Sequence, residues 1–423
     1  MAEKSAKVPL WTAPFTLLTL ANFGLSMAFF SLMATMATYS IHAFAASNTQ
    51  AGVVNSAFVL GAMISRFVAG RLIELKGYRA VMIASLILHA AAIASYFTAT
   101  TFTWTLIIRT LHGIGFGLSQ TAVGGTVMAT VPASRRAEGS GWFTTGMSIA
   151  TGLAPFLGIA LQRSSAGQTG VFALATTVAV GSLVAALFAR PDSDKALGRH
   201  TTHVHSRAPK HLRRKGFTLR PHPVNLGGFV DKRAFPIAAV VALCAFTFGA
   251  VLTFIDGFAK ETGLTEAAAW YFVVYAVVIF FSRPLAGMAQ DRWGDHVVVI
   301  PLIIALIVGM VATSQARSPL TLLVGAALLG LGYGTVLSAG QAIAVAKVGA
   351  KRAGLAVASY FLLVDFGTGV APGLLGTLVD PLGYRNMMLV AAGIAVIALA
   401  VYLVIAWVGR SSGQGKPRPQ VAG

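Results

Sequence analysis

Charged side chains are scarce in this sequence, and acidic ones are the scarcest. Of the 423 residues, 11% are charged and only 13 are Asp or Glu, whereas a soluble domain carries about 25% charged residues. Hydrophobic residues make up 56% of the chain and the mean hydropathy is +0.75. This composition supplies too little polar surface for a water-soluble globule, so it predicts a protein that folds in a lipid bilayer.

Cysteine is nearly absent, because Cys244 is the single one in the sequence. An intrachain disulfide is therefore excluded. The sequence also shows no nucleophile–base pair, no metal-binding spacing and no phosphate loop. The glycines between Gly113 and Gly117 lie in an apolar run without the preceding strand that a nucleotide-binding fingerprint requires. We therefore expect no enzyme activity, no cofactor and no bound metal.

Long apolar segments dominate what is present, and a membrane span needs about 20 such residues. Because open sheet edges do not occur in hydrocarbon, these segments predict helices, and hence an all-α membrane protein with twelve transmembrane helices. The predicted spans are 13–36, 51–73, 79–99, 102–130, 137–161, 168–189, 235–258, 265–289, 296–315, 318–346, 352–378 and 384–408.

Basic residues set the predicted orientation. With the N-terminus in the cytosol, 25 of the 32 Lys and Arg lie in cytosolic segments and four lie outside, as the positive-inside rule requires. This bias predicts a multi-pass protein of the inner (cytoplasmic) membrane with both termini cytosolic. It also accounts for the net charge of +19, so no nucleic-acid partner is expected.

The two halves of the chain are related by a repeat with an offset of 217 residues. The pair Ser65–Arg66 maps onto Ser282–Arg283, and the Gly113–Gly117 run maps onto Gly330–Gly334. Six spans per copy give both copies the same polarity. The predicted domains are an N-terminal six-helix bundle (1–189), a basic cytosolic linker attracted to anionic lipid (190–234), a C-terminal six-helix bundle (235–409) and a cytosolic tail (410–423).

The loop between spans two and three and its repeat copy share a glycine–acid–glycine pattern. Its members are Gly70, Glu74, Gly77 and Arg79 in the first copy and Gly287, Asp291 and Gly294 in the second. This pattern resembles the signature loop of the major facilitator superfamily. In the first copy Glu74 replaces the usual Asp and Leu75 replaces the usual Arg, and we expect Lys76 and Arg79 to compensate.

The resemblance implies two parallel helix bundles that rock about a central site and expose it to either side in turn. It implies that the loop acids form a latch between the halves, at a turn that the glycines permit. Arg66 and Arg283 occupy equivalent positions one turn before the loop, which favours a gate or latch role over substrate contact.

Two further motifs point towards export. Arg109, His112, Gly113 and Gly115 in span four are similar to the R-x-x-x-G-x-G motif of proton-coupled members, with His112 where Gln is common. Span five partly matches the Gly/Pro-rich antiporter motif of drug exporters, and a similar pattern recurs in span eleven. The hinge candidates are Gly152, Pro155, Gly369 and Pro372, for which a purely structural role is the alternative.

Ionisable residues inside a membrane are costly and are functional candidates by default. Arg109 and His112 correspond to Ala326 and Leu329 in the repeat, so they break its symmetry. Asp365, near the middle of span eleven, is predicted to be the best-buried acid, and burial favours its protonated form. We expect Asp365 to take up and release a proton, with Arg109 and His112 tuning that charge; a permanent salt bridge is the alternative. Asp256 is either a further proton-coupling residue or a solvated residue at the mouth.

The resemblance also suggests that spans one, four, seven and ten line a central cavity. Polar candidates for substrate contact are Asn22, Ser26, Gln120, Ser338, Gln341 and Tyr360. The leading interpretation is a monomeric, proton-coupled exporter of small organic molecules such as drugs, sugars or metallophores. An importer or facilitator of a polar or anionic nutrient is the alternative, and a non-transporting membrane sensor is a third.

Overall fold

A computed structural model describes residues 9–132, 135–189, 231–349 and 353–411. Regular structure in these ranges is entirely helical, which confirms the predicted all-α class. Most of the predicted linker, from 190 to 230, and of the tail, from 412 onward, lies outside the described residues.

Twelve helices follow one another in the described residues, and each corresponds to one predicted span. Their bounds are α1 Ala13–Phe44, α2 Asn48–Lys76, α3 Tyr78–Ala94, α4 Phe102–Thr130, α5 Arg136–Arg163, α6 Gly167–Phe188, α7 Phe235–Thr262, α8 Thr265–Trp293, α9 Asp295–Ser314, α10 Pro319–Val348, α11 353–382 and α12 384–411. The last two are joined at Gly383, where φ is 75°.

Ten helical stretches of the described residues are long and apolar enough to cross a membrane, and one of them, Leu355–Val408, contains both α11 and α12. Helix α4 falls outside these ten. It carries Arg109, His112 and five glycines, which lower the hydropathy of its middle turns. Polar content within one helix of a bundle is tolerated where neighbouring helices cover it.

Helix α1 ends at Phe44, two turns beyond the predicted end of the first span at residue 36. The additional turns contain Thr38 and His42, whose side chains bond to residues of α7. Tertiary hydrogen bonds therefore extend this helix past the point where its apolar sequence stops. The same pairing accounts for the end of α7 at Thr262 instead of 258.

Two compact units are present, the first formed by 1–32 with 60–228 and the second by 33–59 with 229–423. In the first unit α3 packs against α4 and α6, and α5 packs against α6. Gly115 permits the close approach of α3 and α4, since a Cβ at this position would lie 2.8 Å from the backbone nitrogen of His89. Small residues at helix contacts are the usual basis of close packing in membranes.

In the second unit α7 packs along α11 and α12, and α9 packs against α10 and the α11–α12 segment. The unit also contains residues 33–59, the end of α1 and the start of α2, which we call the α1–α2 hairpin. Helix α10 is interrupted by a π-helical turn from Gly330 to Gly334. Such turns are rare and occur frequently at functional sites.

The α3–α4 contact yields a stability prediction. Gly115→Ala places a methyl group against the His89 backbone, and we expect it to lower the free energy of unfolding by about 1–3 kcal/mol, as overpacking does. Gly181→Ala in α6 is the matched control, because a Cβ there meets no atom within 4 Å. Thermal unfolding of both purified variants in detergent measures the difference, and an equal midpoint for the two would contradict the described packing.

Candidate functional site

A cluster of polar side chains is buried between α3 and α4 in the first unit. Arg109, His112 and His89 have no exposed surface, and Tyr96 is 1% exposed. The Tyr96 hydroxyl lies 3.2 Å from Nδ1 of His112 and also interacts with the Arg109 guanidinium. The His89 and His112 rings are 4.8 Å apart. The two predicted coupling residues of α4 therefore belong to one network. Its other members are His89 of α3 and Tyr96 of the 3₁₀ turn Ser95–Thr98 that follows α3.

Phe116 and Gln120 lie on the same face of α4 as Arg109 and His112, at i, i+3, i+7 and i+11, and contact other helices of the same unit. We call these four residues the α4 stripe. Phe116 stacks on Phe29 of α1 with ring centroids 5.0 Å apart. The side-chain oxygen of Gln120 accepts a hydrogen bond of 2.6 Å from Arg66 of α2. This stripe thus ties α4 to α1, α2 and α3, and its predicted role in substrate contact stays a prediction.

Arg283, the repeat counterpart of Arg66, makes a comparable bond in the second unit. Its Nε donates to the Gly334 carbonyl at 3.1 Å, at the end of the π-helical turn of α10. Both arginines therefore join the second helix of their repeat copy to the fourth. This shared arrangement is what a scaffold or gate role requires of symmetric residues.

The signature loop is a tight turn in both copies. Gly77 and Gly294 have φ values of 80° and 87°, a region that favours glycine, so the predicted turn is confirmed at both positions. A Cβ built at Gly70 or Gly287 meets no described atom within 4 Å, so neither glycine is required by a close helix contact.

The charged residues of the loop differ in their contacts. Glu74 and Asp291 are exposed and make no hydrogen bond or ion pair with any described residue, so their latch role stays a prediction. Arg79 instead donates to the carbonyls of Leu187 and Ala189 at 3.3 Å each. These carbonyls lie at the end of α6, where a basic side chain is stabilising.

A second polar cluster joins the α1–α2 hairpin to α7. Asp256 accepts a 3.0 Å hydrogen bond from Thr38, and Lys260 lies 3.2 Å from the same carboxylate oxygen. Nζ of Lys260 is also 3.3 Å from Nε2 of His42. We call Thr38, His42, Asp256 and Lys260 the hairpin lock, because each bond connects α1 with α7 or orients the lysine that does so.

Asp256, and not Asp365, is the best-buried acid among the described residues. Its side chain is 1% exposed, whereas Asp365 in α11 is only partly buried. The prediction that Asp365 is the most buried was therefore wrong, as was the interpretation of Asp256 as a solvated residue. The sequence places Asp256 near the end of a span, and Thr38 and Lys260 cover it there.

The hinge candidates of α11 form a contact face towards α2. A Cβ on Gly369 would lie 2.5 Å from Val59, and a Cβ on Gly52 would collide with the Pro372 carbonyl. In α5, Gly152 and Pro155 are buried, and the helix continues through the proline. Close packing accounts for the small residues of α11, and a hinge role stays a prediction for all four positions.

Several residues that were predicted to contact substrate make hydrogen bonds to backbone carbonyls within the bundle. Asn22 donates to the Phe143 carbonyl at 3.3 Å, Ser26 donates to the Asn22 carbonyl, and the fully buried Tyr360 donates to Leu337 at 2.7 Å. Ser338 and Gln341 of α10 are partly exposed. Their predicted contact with substrate remains open to test.

Five residues of the two clusters are absent from the predicted site, and one of them, Lys260, lies just beyond the predicted end of span seven at residue 258. His89 lies inside the third predicted span, so the search for ionisable residues within spans is the signal that identifies it. Tyr96 is also in that span, but a tyrosine there is more often an interfacial anchor. His42 and Thr38 lie beyond the predicted end of span one, and only the folded contacts with α7 reveal them.

Comparison with known proteins places this architecture in a family. The family model described as Major Facilitator Superfamily matches residues 18–269 and 237–422. An uncharacterized MFS-type transporter of Pseudomonas aeruginosa (strain LESB58) is 31% identical over 173 residues, and YhhS of Escherichia coli (strain K12), also an uncharacterized MFS-type transporter, is 28% identical over 167 residues. These matches cover 40% of the chain and 43% and 41% of the respective relatives.

Solved structures share the fold at low sequence identity. A bacterial homolog of the human lysosomal transporter Spinster, in an inward-facing and unoccupied conformation, has a TM-score of 0.74 and 16% identity, covering 98% of this chain and 100% of that one. The peptide transporter POT has a TM-score of 0.70 at 15% identity, covering 93% and 94% of the two chains. With twelve helices, the paired signature loop and a family match along nearly its whole length, the chain belongs to the major facilitator superfamily.

Proposed function

We propose that this membrane transporter is a proton-coupled antiporter that exports small organic molecules by alternating access. The observation that carries the proposal is the complete burial of Arg109 and His112 in α4, at positions where the repeat copy has Ala326 and Leu329. A bundle that needed only to hold its shape gains nothing from ionisable groups in hydrocarbon, whose burial is costly. Their asymmetry between the repeat copies favours a role in the transport cycle.

Asp365 of α11 is the proposed carrier of the proton. It replaces Ser148 of the repeat copy. The residue as a whole is partly exposed, although its Oδ2 atom is buried. A group that alternates between two protonation states needs both surroundings. We reassign Asp256 from coupling to gating, because Lys260 and Thr38 hold its carboxylate in the hairpin lock.

Export of drugs, sugars or metallophore-like compounds is supported by the partial antiporter motif around Gly152 and Pro155. The charge bias of the sequence supports a location in the cytoplasmic membrane with both termini in the cytosol. The alternative function is import or facilitated uptake of a nutrient, and an assay of the direction of transport distinguishes it from export. A thermal-shift screen of the purified protein against drugs, sugars and metal chelators identifies a compound that binds, and this compound then serves as the probe in the transport assays.

Neutralising Asp365 tests the coupling. We expect Asp365→Asn to reduce proton-driven uptake of the probe into everted vesicles by at least about tenfold, the factor that 1.4 kcal/mol of lost coupling produces. Exchange of labelled for unlabelled probe without a proton gradient should persist, because binding and alternation do not need the charge change. Glu266→Gln, at an exposed acid of α8, is the matched control, and full proton-driven uptake by Asp365→Asn would remove this residue from the mechanism.

The α4 cluster generates a separate prediction about pH. His112→Gln introduces the side chain that is common at this position in the family, so we expect a maximal rate within about threefold of the parent but an altered dependence of rate on pH. Arg109→Gln removes the buried cation and should abolish proton-driven uptake. Transport measured between pH 5.5 and 8.5 compares the two variants. An unchanged pH profile in His112→Gln would show that His112 has only a packing role.

A further inference from the structure

His42 lies in the last turn of α1 and is exposed to solvent. Its Nε2 atom is 3.3 Å from Nζ of Lys260 on α7. An ammonium group has three donors and no acceptor, so the imidazole nitrogen has to accept this hydrogen bond. The observed geometry therefore requires a neutral His42 with its proton on Nδ1.

Lys260 connects this exposed imidazole to a buried carboxylate. It bonds to Asp256, which is 1% exposed and also accepts from Thr38. His42 and Thr38 are one turn apart on α1, and Asp256 and Lys260 are one turn apart on α7. The hairpin lock thus bridges two helices by two parallel connections, and one of them ends on an imidazole, which loses its acceptor nitrogen when it binds a proton.

The rest of the hairpin is held to other parts of the second unit by hydrogen bonds in which the hairpin side chain is uncharged. The Ser56 hydroxyl accepts a 2.9 Å bond from the Gly373 amide of α11, and Asn55 donates to Thr253 of α7 at 3.1 Å. Asn48 accepts from Tyr384 at 2.7 Å and donates to Asp380. The bond between His42 and Lys260 is the part of this interface that loses its acceptor when the histidine is protonated.

We propose that His42 is a proton-binding site that controls the closure of the α1–α2 hairpin on α7. A protonated imidazole has two donors and no acceptor, so the bond to Lys260 is lost and two positive charges face each other across it. Deprotonation restores the bond and closes the lock. The inference rests on the proposed alternating access, in which this end of the molecule opens in one step of the cycle. It adds that acid favours this opening step.

Other ionisable groups lie on the elements that neighbour His42, and their titration has to be distinguished from that of His42. Those of the neighbouring elements are Tyr39 on α1, Asp256, Lys260 and Glu261 on α7, and Asp380 and Tyr384 at the α11–α12 junction. Carboxyl groups and phenols ordinarily titrate well outside the range in which histidine does. A transition between pH 5.5 and 7.5 that depends on His42 therefore separates this site from its neighbours.

Thiol accessibility measures the closure directly. Ser56→Cys, in a Cys244→Ala background, places a single thiol at the hairpin–α11 contact, where Ser56 is 8% exposed. We expect a maleimide to label this thiol about fivefold faster at pH 5.5 than at pH 7.5, after each rate is divided by the rate of the same reporter in His42→Gln. A fivefold change is the size expected for gain or loss of an exposed ionic contact. The division cancels the intrinsic pH dependence of the thiol.

Two substitutions separate the states of His42. His42→Gln keeps a hydrogen-bond acceptor that does not titrate, so it is the reference in which the lock stays closed at both pH values. His42→Arg carries a permanent charge and should label fast at both. His296→Gln, at the histidine that contacts Tyr402 on α12, is the matched control and should behave as the parent.

The experiment needs neither a substrate nor a proton gradient, so its result is independent of whether transport is proton-coupled. A parent protein whose corrected labelling does not change with pH would overturn the proposal. So would an His42→Arg variant that is as protected as the parent at pH 7.5. Size-exclusion profiles and thermal midpoints of all variants confirm that the comparison is between folded proteins.

Discussion

The absence of water from the bilayer interior is the constraint on which this structure depends. Backbone groups there have to bond within helices, and every ionisable side chain has to be covered by other parts of the protein. The cluster of Arg109, His112 and Tyr96 and the hairpin lock are both responses to that constraint. In the first cluster, polar groups are buried between helices. In the hairpin lock, the Asp256 carboxylate is paired with Lys260 near the end of α7.

The positions of the helices could be predicted from the sequence, because the length of a span is set by the thickness of the hydrocarbon and its composition by transfer free energy. Helix α4 begins and ends at the predicted residues 102 and 130. The end of α1 could not be predicted, because Thr38 and His42 extend the helix through bonds to residues more than 200 positions away. Apolar content determines where a span lies, and long-range partners determine where its helix stops.

The functional residues were harder to predict than the fold, because sequence identifies costly side chains but not the groups that cover them. Arg109 and His112 were identifiable as polar residues in an apolar helix, yet the contribution of His89 from α3 depends on a close contact that Gly115 permits. The relative burial of Asp256 and Asp365 was misjudged for the same reason. Distance from the middle of a span is a poor measure of burial when the same helix supplies a cation and a neighbouring helix supplies a hydroxyl.

The π-helical turn of α10 changes how its two ends are oriented. A π turn takes up one residue more than an α-helical turn, and each residue of an α-helix corresponds to about 100° of rotation. Side chains from Thr335 onward, including Ser338 and Gln341, are therefore turned by roughly one residue relative to the helical phase of Leu322 and Ala326. When α10 is aligned with α4 residue by residue, the aligned positions after the π turn point in different directions. The side chains that share one face of α10 therefore differ from those that share one face of α4, even where the sequences agree.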